Sequence, residues 1–337
     1  MNKKFHVVSL FAGVGGVCQG FKNANMNVIW ANEIDKMACV TYMQNHEDTV
    51  IINKDINDVL TQDIPDSDIL TAGFPCQSFS IAGYRKGFED ERGNLFFSIL
   101  RILREKDNKP RVIFLENVKN LMTHDKGNTF KVICNELEKL GYLLHVKILN
   151  SCDYGNVPQN RERIFIIGFL DKQAYECFEF PRKIKLDKNI NDIKEKNVNN
   201  KYYYTESSKY YEELIKNMTN KSSIYQIRRV YIRENKSNLC PTLTANMGTG
   251  GHNVPLLMDD KGIRKLTPKE CFNLQGFPHS FKLPEISDCH LYKQVGNAVT
   301  VTLIERIAKN IIKALCIRSN AKETISNKTL VVQNSLF

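Results

Sequence analysis

Short apolar runs bounded by turn residues alternate with longer stretches whose apolar residues recur at helical spacing, and this limits the first half of the chain to very few folds. The runs are HVVSL (6–10), NVIWANE (27–33), DILTAG (68–73), RVIFLE (111–116) and RIFIIGF (163–169). Each is short and almost continuously apolar, as a strand buried on both faces of a parallel sheet must be. Between them GVCQGFKNA, KMACVTYMQN, LFFSILRILREK and TFKVICNELEKLG carry the period of helices that bury one face. The alternation predicts an α/β fold with a mostly parallel sheet, in which ligands sit beyond the carboxyl ends of the strands. The loops that follow the runs are where chemistry is expected.

The pattern stops after Gly168. No glycine occurs from Phe169 to Met247, and KIKLDKNINDIKEKNVNNKYYYTESSKYYEELIKN is rich in Lys, Asn and Tyr, which marks a second, smaller and irregular domain. Regular patterning returns at GIRKLTPKECFNLQGFP (262–278), LYKQVGNAV (291–299) leads into the helix-like VTLIERIAKNIIKAL, and the tail after Ile317 is polar and peripheral. The boundaries read as 1–180, 181–265 and 266–337. A chain of 337 residues with 42% apolar content builds a substantial core, and its formal charge of +10 favours an anionic partner such as nucleic acid. Ten cysteines without a single CxxC or CxC pair argue against a disulfide framework and against zinc. No segment approaches the roughly 20 apolar residues that span a bilayer. The reading is a soluble intracellular protein in a reducing compartment, with no membrane and no metal.

LFAGVGG places Gly13, Gly15 and Gly16 behind a strand and before a helix, where a ligand can approach the backbone at a helix N-terminus. A dinucleotide fingerprint needs glycine at position 18, which is Cys18 here. Glu33 lies about 20 residues on, at the end of the second strand, where a carboxylate accepts from both ribose hydroxyls. A nucleoside without a pyrophosphate fits. Asp55 in KDIND either reaches an adenine amino group or caps a turn. Cys76, in TAGFPCQSFS, stands in a polar loop at a strand end, unlike Cys39 and Cys134 inside apolar runs, and is the candidate nucleophile. Glu116 in FLENV follows an apolar strand, where desolvation would suit it to act as an acid; the plainer reading is a capping or surface carboxylate. Arg161 and Arg163 in QNRERIF suit a bidentate grip on carbonyl or phosphate oxygens, or are ordinary surface charges.

Taken in order, FAGVGG, NEID, GFPCQSFS, RGNLF, ENV, QNRERIFIIG, RKLTPKEC with LQGFP, and KQVGNAV closely resemble the DNA (cytosine-5)-methyltransferase family, in its compact prokaryotic restriction-modification type. The resemblance runs from Ser9 to about Ile312, apart from the variable stretch between about 171 and 235. It implies a Rossmann-like S-adenosylmethionine-dependent catalytic domain (1–180), a target-recognition domain (181–265) and a hinge and return to the catalytic domain (266–337). Phe11, Gly13, Val14 and Gly16 would line the S-adenosylmethionine site, with Glu33 on the ribose, Ile34 on the adenine and Asp55 and Ile56 at its edge. Pro75, Leu95, Asn297 and Ala298 would complete the pocket. Cys76 would be the nucleophile, Glu116 the group that engages the cytosine ring, and Arg161 and Arg163 the pair near the base and its phosphate.

The DNA-contacting residues expected are Gln77, Ser80 and Arg92 from the catalytic loop, with Arg228, Arg229, Arg233 and Thr242 from the recognition region. The loop FPCQSFSIAGYRKGFEDERG, with Gly83, Gly87 and Gly93 and three basic side chains, is suited to closing over an extruded base. The activity implied is methyl transfer to C5 of a flipped cytosine within a short specific duplex sequence through a covalent Cys76–C6 intermediate, protecting host DNA. A monomer, double-stranded DNA as partner, a cognate restriction endonuclease and a cytoplasmic, nucleoid-associated location are implied with it. The branch acting on tRNA usually carries PPCQPFT at this loop and a Cys-Phe-Thr signature further on. Here the loop is GFPCQSFS, and Cys177-Phe178 and Cys271-Phe272 precede Glu and Asn.

Overall fold

Apolar residues at consecutive strand positions point to opposite faces, so a strand apolar throughout needs cover on both sides. The computed structural model describes residues 4–74, 95–228, 231–249 and 253–316. In it the chain runs through β1 (His6–Leu10), α1 (Gly16–Asn23), β2 (Asn27–Asn32), α2 (Lys36–Met43), β3 (Val50–Ile52), β4 (Ile69–Gly73) and α3 (Leu95–Glu105). It continues through β5 (Val112–Val118), α4 (Asn128–Lys139), β6 (Leu143–Asn150), the two-residue β7 (Gln159–Asn160) and β8 (Glu162–Phe169). Seven strands form one sheet in the order β3-β2-β1-β4-β5-β8-β6. Val7, Ile69, Val112 and Phe114 face Phe21 of α1 and Ile304, Ile307 and Ile311 of a helix over 301–316. Their neighbours Val8, Leu70, Ile113 and Leu115 face Phe96, Ile99 and Leu103 of α3 and Ile133 and Leu137 of α4. Each such side chain contributes roughly 1.5–3 kcal/mol when buried. A one-residue slip would forfeit many of these at once, which fixes the register.

One expectation is corrected. RIFIIGF forms most of β8, but β8 is antiparallel to both β5 and β6. The strand feeding it is β6, and the link between them, residues 151–161, holds only one four-residue helix, Ser151–Tyr154. That is too short for the dozen or more residues of a parallel crossover, so the chain turns back. β6 escaped the sequence reading because LLHVKILN lies at the sheet edge, half-exposed, without a clean alternation.

A second sheet begins at β9 (Ile224–Ile227) and β10 (Ile232–Asn235), followed by β11 (Cys240–Pro241), β12 (Leu256–Met258) and β13 (Ile263–Lys265). Four of these make an antiparallel sheet in the order β10-β9-β12-β13, while β11 pairs with β7, just before β8. Tyr225, Ile227, Leu256 and Ile263 build a small separate core with Leu214 and Met218. The chain then returns through α5 (Pro268–Leu274) and α6 (Asp288–Asn297) to α7 (301–316). Buried Arg264 of β13 gives both carboxylate oxygens of Glu270 on α5 a hydrogen bond at 2.8 Å. Arg264 also pairs through Nε with Asp259 at 2.6 Å, so it is the loss of Arg264 that would leave the buried Glu270 carboxylate without its counter-ion, at a cost of about 3–5 kcal/mol. No helix among the described residues is long and apolar enough to cross a membrane.

Candidate active site

At the carboxyl end of β1 the backbone leaves strand geometry at once: Phe11, Gly13 and Gly15 have φ of 54°, 56° and 84° before α1 begins at Gly16. Left-handed Phe11 is the notable one, since a bulky residue there is strained and such strain concentrates at functional sites. The turn is held by Glu33, the residue after β2. Gly13 N–H donates to Glu33 Oε2 at 2.7 Å, and Asp35 N–H to Glu33 Oε1 at 2.8 Å. Both carboxylate oxygens keep acceptor capacity for further donors. Burial raises the Glu33 carboxyl above its ordinary value, against the amides of Asp35 and Gly13, which lower it. Ile34 beside it is 64% exposed, and a Cβ built on Gly13 meets nothing within 4 Å. An open glycine turn, a buried dual acceptor and an uncovered apolar side chain fit a ribose with an apolar base above it.

The neighbouring candidates divide into wall and frame. Asp55 caps the turn Ile56–Asp58 by accepting from Asn57 N–H at 2.9 Å, so the plainer of its two readings is present, and Ile56 is buried below it. Leu95 opens α3, partly buried, and Val14 is buried. Exposed Asn297 ends α6 and Ala298 follows it. These reach the glycine turn through Val299, whose Cγ2 would lie 3.1 Å from a Cβ on Gly16. Sequence reasoning missed Asn53, whose side chain donates to the carbonyls of Glu33 and Ile34 at 2.9 and 3.0 Å. It missed His46 as well. That ring is 1% exposed, neither nitrogen has a hydrogen-bond partner among the described residues, and it fills the space a side chain on Gly15 would need. Burial, with Lys22 next, lowers the His46 pKa to about 3 and keeps the ring neutral.

The second group gathers at the ends of β4 and β5. Gly73 and Glu116 are Cα partners across these parallel strands, and a Cβ on Gly73 would lie 3.5 Å from Glu116 Oε2. Arg163 on β8 places Nε 3.0 Å from Glu116 Oε1, an ion pair too bent for a hydrogen bond, so this buried oxygen lacks a donor. Burial raises the Glu116 carboxyl above its ordinary value, more than Arg163 and Arg161 lower it. A buried carboxyl with an elevated proton affinity is suited to give a proton to a heteroaromatic nitrogen. Asn117 donates from Nδ2 to the carbonyl of Phe74 at 2.7 Å, tying this strand end to the start of GFPCQSFS, whose residues are described as far as Phe74. Pro75, Cys76, Gln77, Ser80, Arg92 and Arg229 lie outside the described residues.

Arg161 departs from expectation. It is 1% exposed, and its terminal nitrogens donate to the carbonyls of Leu243 (2.7 Å), Gly296 (3.2 Å) and Ala298 (2.5 Å). With its terminal nitrogens satisfied inside the protein it clasps two chain segments, one at Leu243 and one at Gly296–Ala298, while its buried Nε has no partner among the described residues. Arg163 keeps Nη2 without a partner among the described residues, its Nη1 donating to the carbonyl of Glu162 at 2.8 Å.

A cleft of about 450 Å³ between the β9–β10 strands and the β7–β11 pair collects Arg228, Arg233 and Thr242, together with Asn160 and Gln226. Thr242 Oγ1 donates to the carbonyl of Asn160 at 2.7 Å, which fixes the segment after β11 to β7. A cleft with exposed guanidinium and amide groups matches the polar edges of a nucleic-acid groove.

Residues 5–313 match the family model described as C-5 cytosine-specific DNA methylase. The chain is 54% identical over 314 residues to the type II methyltransferase M.Bsp6I of Bacillus sp. (strain RFL6), covering 92% of this chain and 99% of that one. It is 42% identical to the type II methyltransferase M.SsoII of Shigella sonnei, over 93% and 82% of the two chains. Among solved structures, the S. pombe Dnmt2 methyltransferase shares the fold with a TM-score of 0.71 at 21% identity, over 93% of this chain and 99% of that one.

Proposed function

The chain belongs to the C-5 cytosine-specific DNA methylase family and is a DNA methyltransferase, and from that premise we propose that it methylates C5 of a cytosine flipped out of a short specific duplex sequence, with S-adenosylmethionine as methyl donor. The observation that carries this reading is the buried Glu116 carboxyl beside Arg163, stitched through Asn117 to the segment that enters the Cys76 loop. C5 of cytosine is a weak nucleophile. Addition of the Cys76 thiolate to C6, with a proton from Glu116 reaching N3, gives the ring enamine character and makes C5 reactive. Arg163 offsets negative charge on the carboxylate and on the electron-rich ring. Loss of the C5 proton to a base then allows C6–S cleavage, and the N3 proton returns to Glu116.

When bound, S-adenosylmethionine supplies the electrophilic methyl group. Glu33, Gly13, Gly16 and Ile34 are the residues proposed to hold it, with Leu95, Asn297 and Ala298 at its edges. The base leaves the stack at a cost of a few kcal/mol, met by contacts in the pocket. Residues 181–265 are proposed to choose the DNA sequence, with Arg228, Arg233 and Thr242 in the cleft as DNA contacts. The curated relatives at 54% and 42% identity are type II methyltransferases, which supports a protective role within a restriction-modification system. The test is expression in a methylation-free host followed by bisulfite sequencing. Cytosines protected at one short sequence are expected; a genome without 5-methylcytosine would refute the reading.

A further inference from the structure

We propose that Gln226, Arg228 and Arg233 select guanine, read through its major-groove edge, in the duplex flanking the target cytosine. This rests on the DNA-methyltransferase reading above and specifies the base its cleft accepts. The three side chains share one face: Arg233 and Gln226 are Cα partners across β10 and β9, and Arg228 follows Gln226 by two positions. The intervening Ile227 is turned into the small core, and Glu234 is occupied with Ser223, whose Oγ donates to it at 2.7 Å. No carboxylate lines the cleft among the described residues.

The decisive contact is from Arg228 Nη2 to Gln226 Oε1, at 2.8 Å. Arginine carries donors only, so the bond engages one lone pair of the amide oxygen and distinguishes it from the Gln226 NH2, whose two donors it leaves unused. All three side chains thus present N–H donors. Guanine alone shows two adjacent acceptors, N7 and O6, in the major groove; adenine pairs an acceptor with a donor, and cytosine offers a donor. A glutamine reads adenine with its oxygen and nitrogen together, and here that oxygen would have to serve the adenine amino group while still accepting from Arg228, with the Arg228 charge beside a base donor. Phosphate would also take donors, but it gives a neutral, oriented amide no selective role.

The test uses the full-length enzyme on synthetic duplexes built around the bisulfite-mapped site. Each flanking guanine is replaced in turn by inosine, which keeps N7 and O6, by 7-deazaguanine, which lacks the N7 acceptor, or by adenine. At the contacted positions inosine is expected to be methylated at nearly the guanine rate. There 7-deazaguanine and adenine should lower kcat/KM about 10- to 100-fold. Arg228→Ala and Arg233→Ala, both at exposed positions, should each shrink that penalty at one position. Methylated sites lacking flanking guanine, or full tolerance of 7-deazaguanine, would overturn the proposal while leaving the methyltransferase reading intact. So would variants that weaken all sequences evenly and reduce the salt slope by about 1, the mark of phosphate contacts. Absence of methyl transfer to any cytosine would overturn both.

Discussion

Replacing Glu33 with glutamine separates what this side chain does for the fold from what it does for the ligand. In the protein its two oxygens accept from Gly13 N–H at 2.7 Å and Asp35 N–H at 2.8 Å. Glu33→Gln keeps one acceptor and turns an NH2 toward the other amide, losing one charge-assisted bond worth about 1.5–3 kcal/mol. Against this, the neutral amide removes a buried negative charge, whose cost is seen in the raised carboxyl pKa. The two effects oppose each other in the unliganded protein. Its melting temperature is expected to move by less than about 4 °C, the shift for about 1 kcal/mol in a chain of this order. Ligand binding has no such compensation, because a ribose needs acceptors. Cofactor affinity should fall by about 1.5–3 kcal/mol, or about 10- to 150-fold. Titration calorimetry with S-adenosylhomocysteine reads the affinity, and scanning calorimetry the stability. Unchanged affinity in a folded variant would refute the ribose assignment, and a collapse of stability would show that Glu33 serves the turn first.

Glu116→Gln should abolish methyl transfer by removing the proton donor, while changing stability in a pH-dependent way. Because burial raises the Glu116 carboxyl above its ordinary 4.5, the protonated form favours the fold, and that contribution is lost as pH rises through the folded-state pKa. The glutamine variant should therefore gain on the wild type over that interval in pH-dependent denaturant melts; a constant difference would contradict the assignment. Gly15→Ala should destabilise the protein by about 1–2 kcal/mol from its left-handed backbone alone, and further from collision with His46. Adding His46→Ala should recover the collision part only, so strictly additive losses in a double-mutant cycle would show that His46 does not support the glycine turn.

What was legible in the sequence had local causes. HVVSL and DILTAG read as strands because both faces are buried, and Glu33 was found because one strand-helix-strand unit sets its distance from the glycine turn. The antiparallel course of β8 was hidden because direction depends on the short link from β6, not on the apolar run. Arg161 and Arg163 look equivalent two residues apart, yet the carbonyls that engage Arg161 come from Leu243, Gly296 and Ala298, far away in sequence. Asn117 was overlooked for the same reason: its partner is Phe74. The cleft needed the hairpin of β9 and β10 to set Gln226 opposite Arg233.

The central claim is covalent catalysis by Cys76 on a flipped cytosine, and mechanism-based trapping tests it most directly. A duplex carrying 5-fluorocytosine at the target position is incubated with S-adenosylmethionine and the enzyme, then resolved under denaturing conditions and digested for peptide mass mapping. After methyl transfer fluorine cannot leave C5 as a proton does, so the thioether at C6 persists. The account predicts a stable protein–DNA adduct on the Cys76 peptide with the wild type and none with Cys76→Ala. An adduct on another residue, or undiminished cytosine methylation by Cys76→Ala, would contradict it.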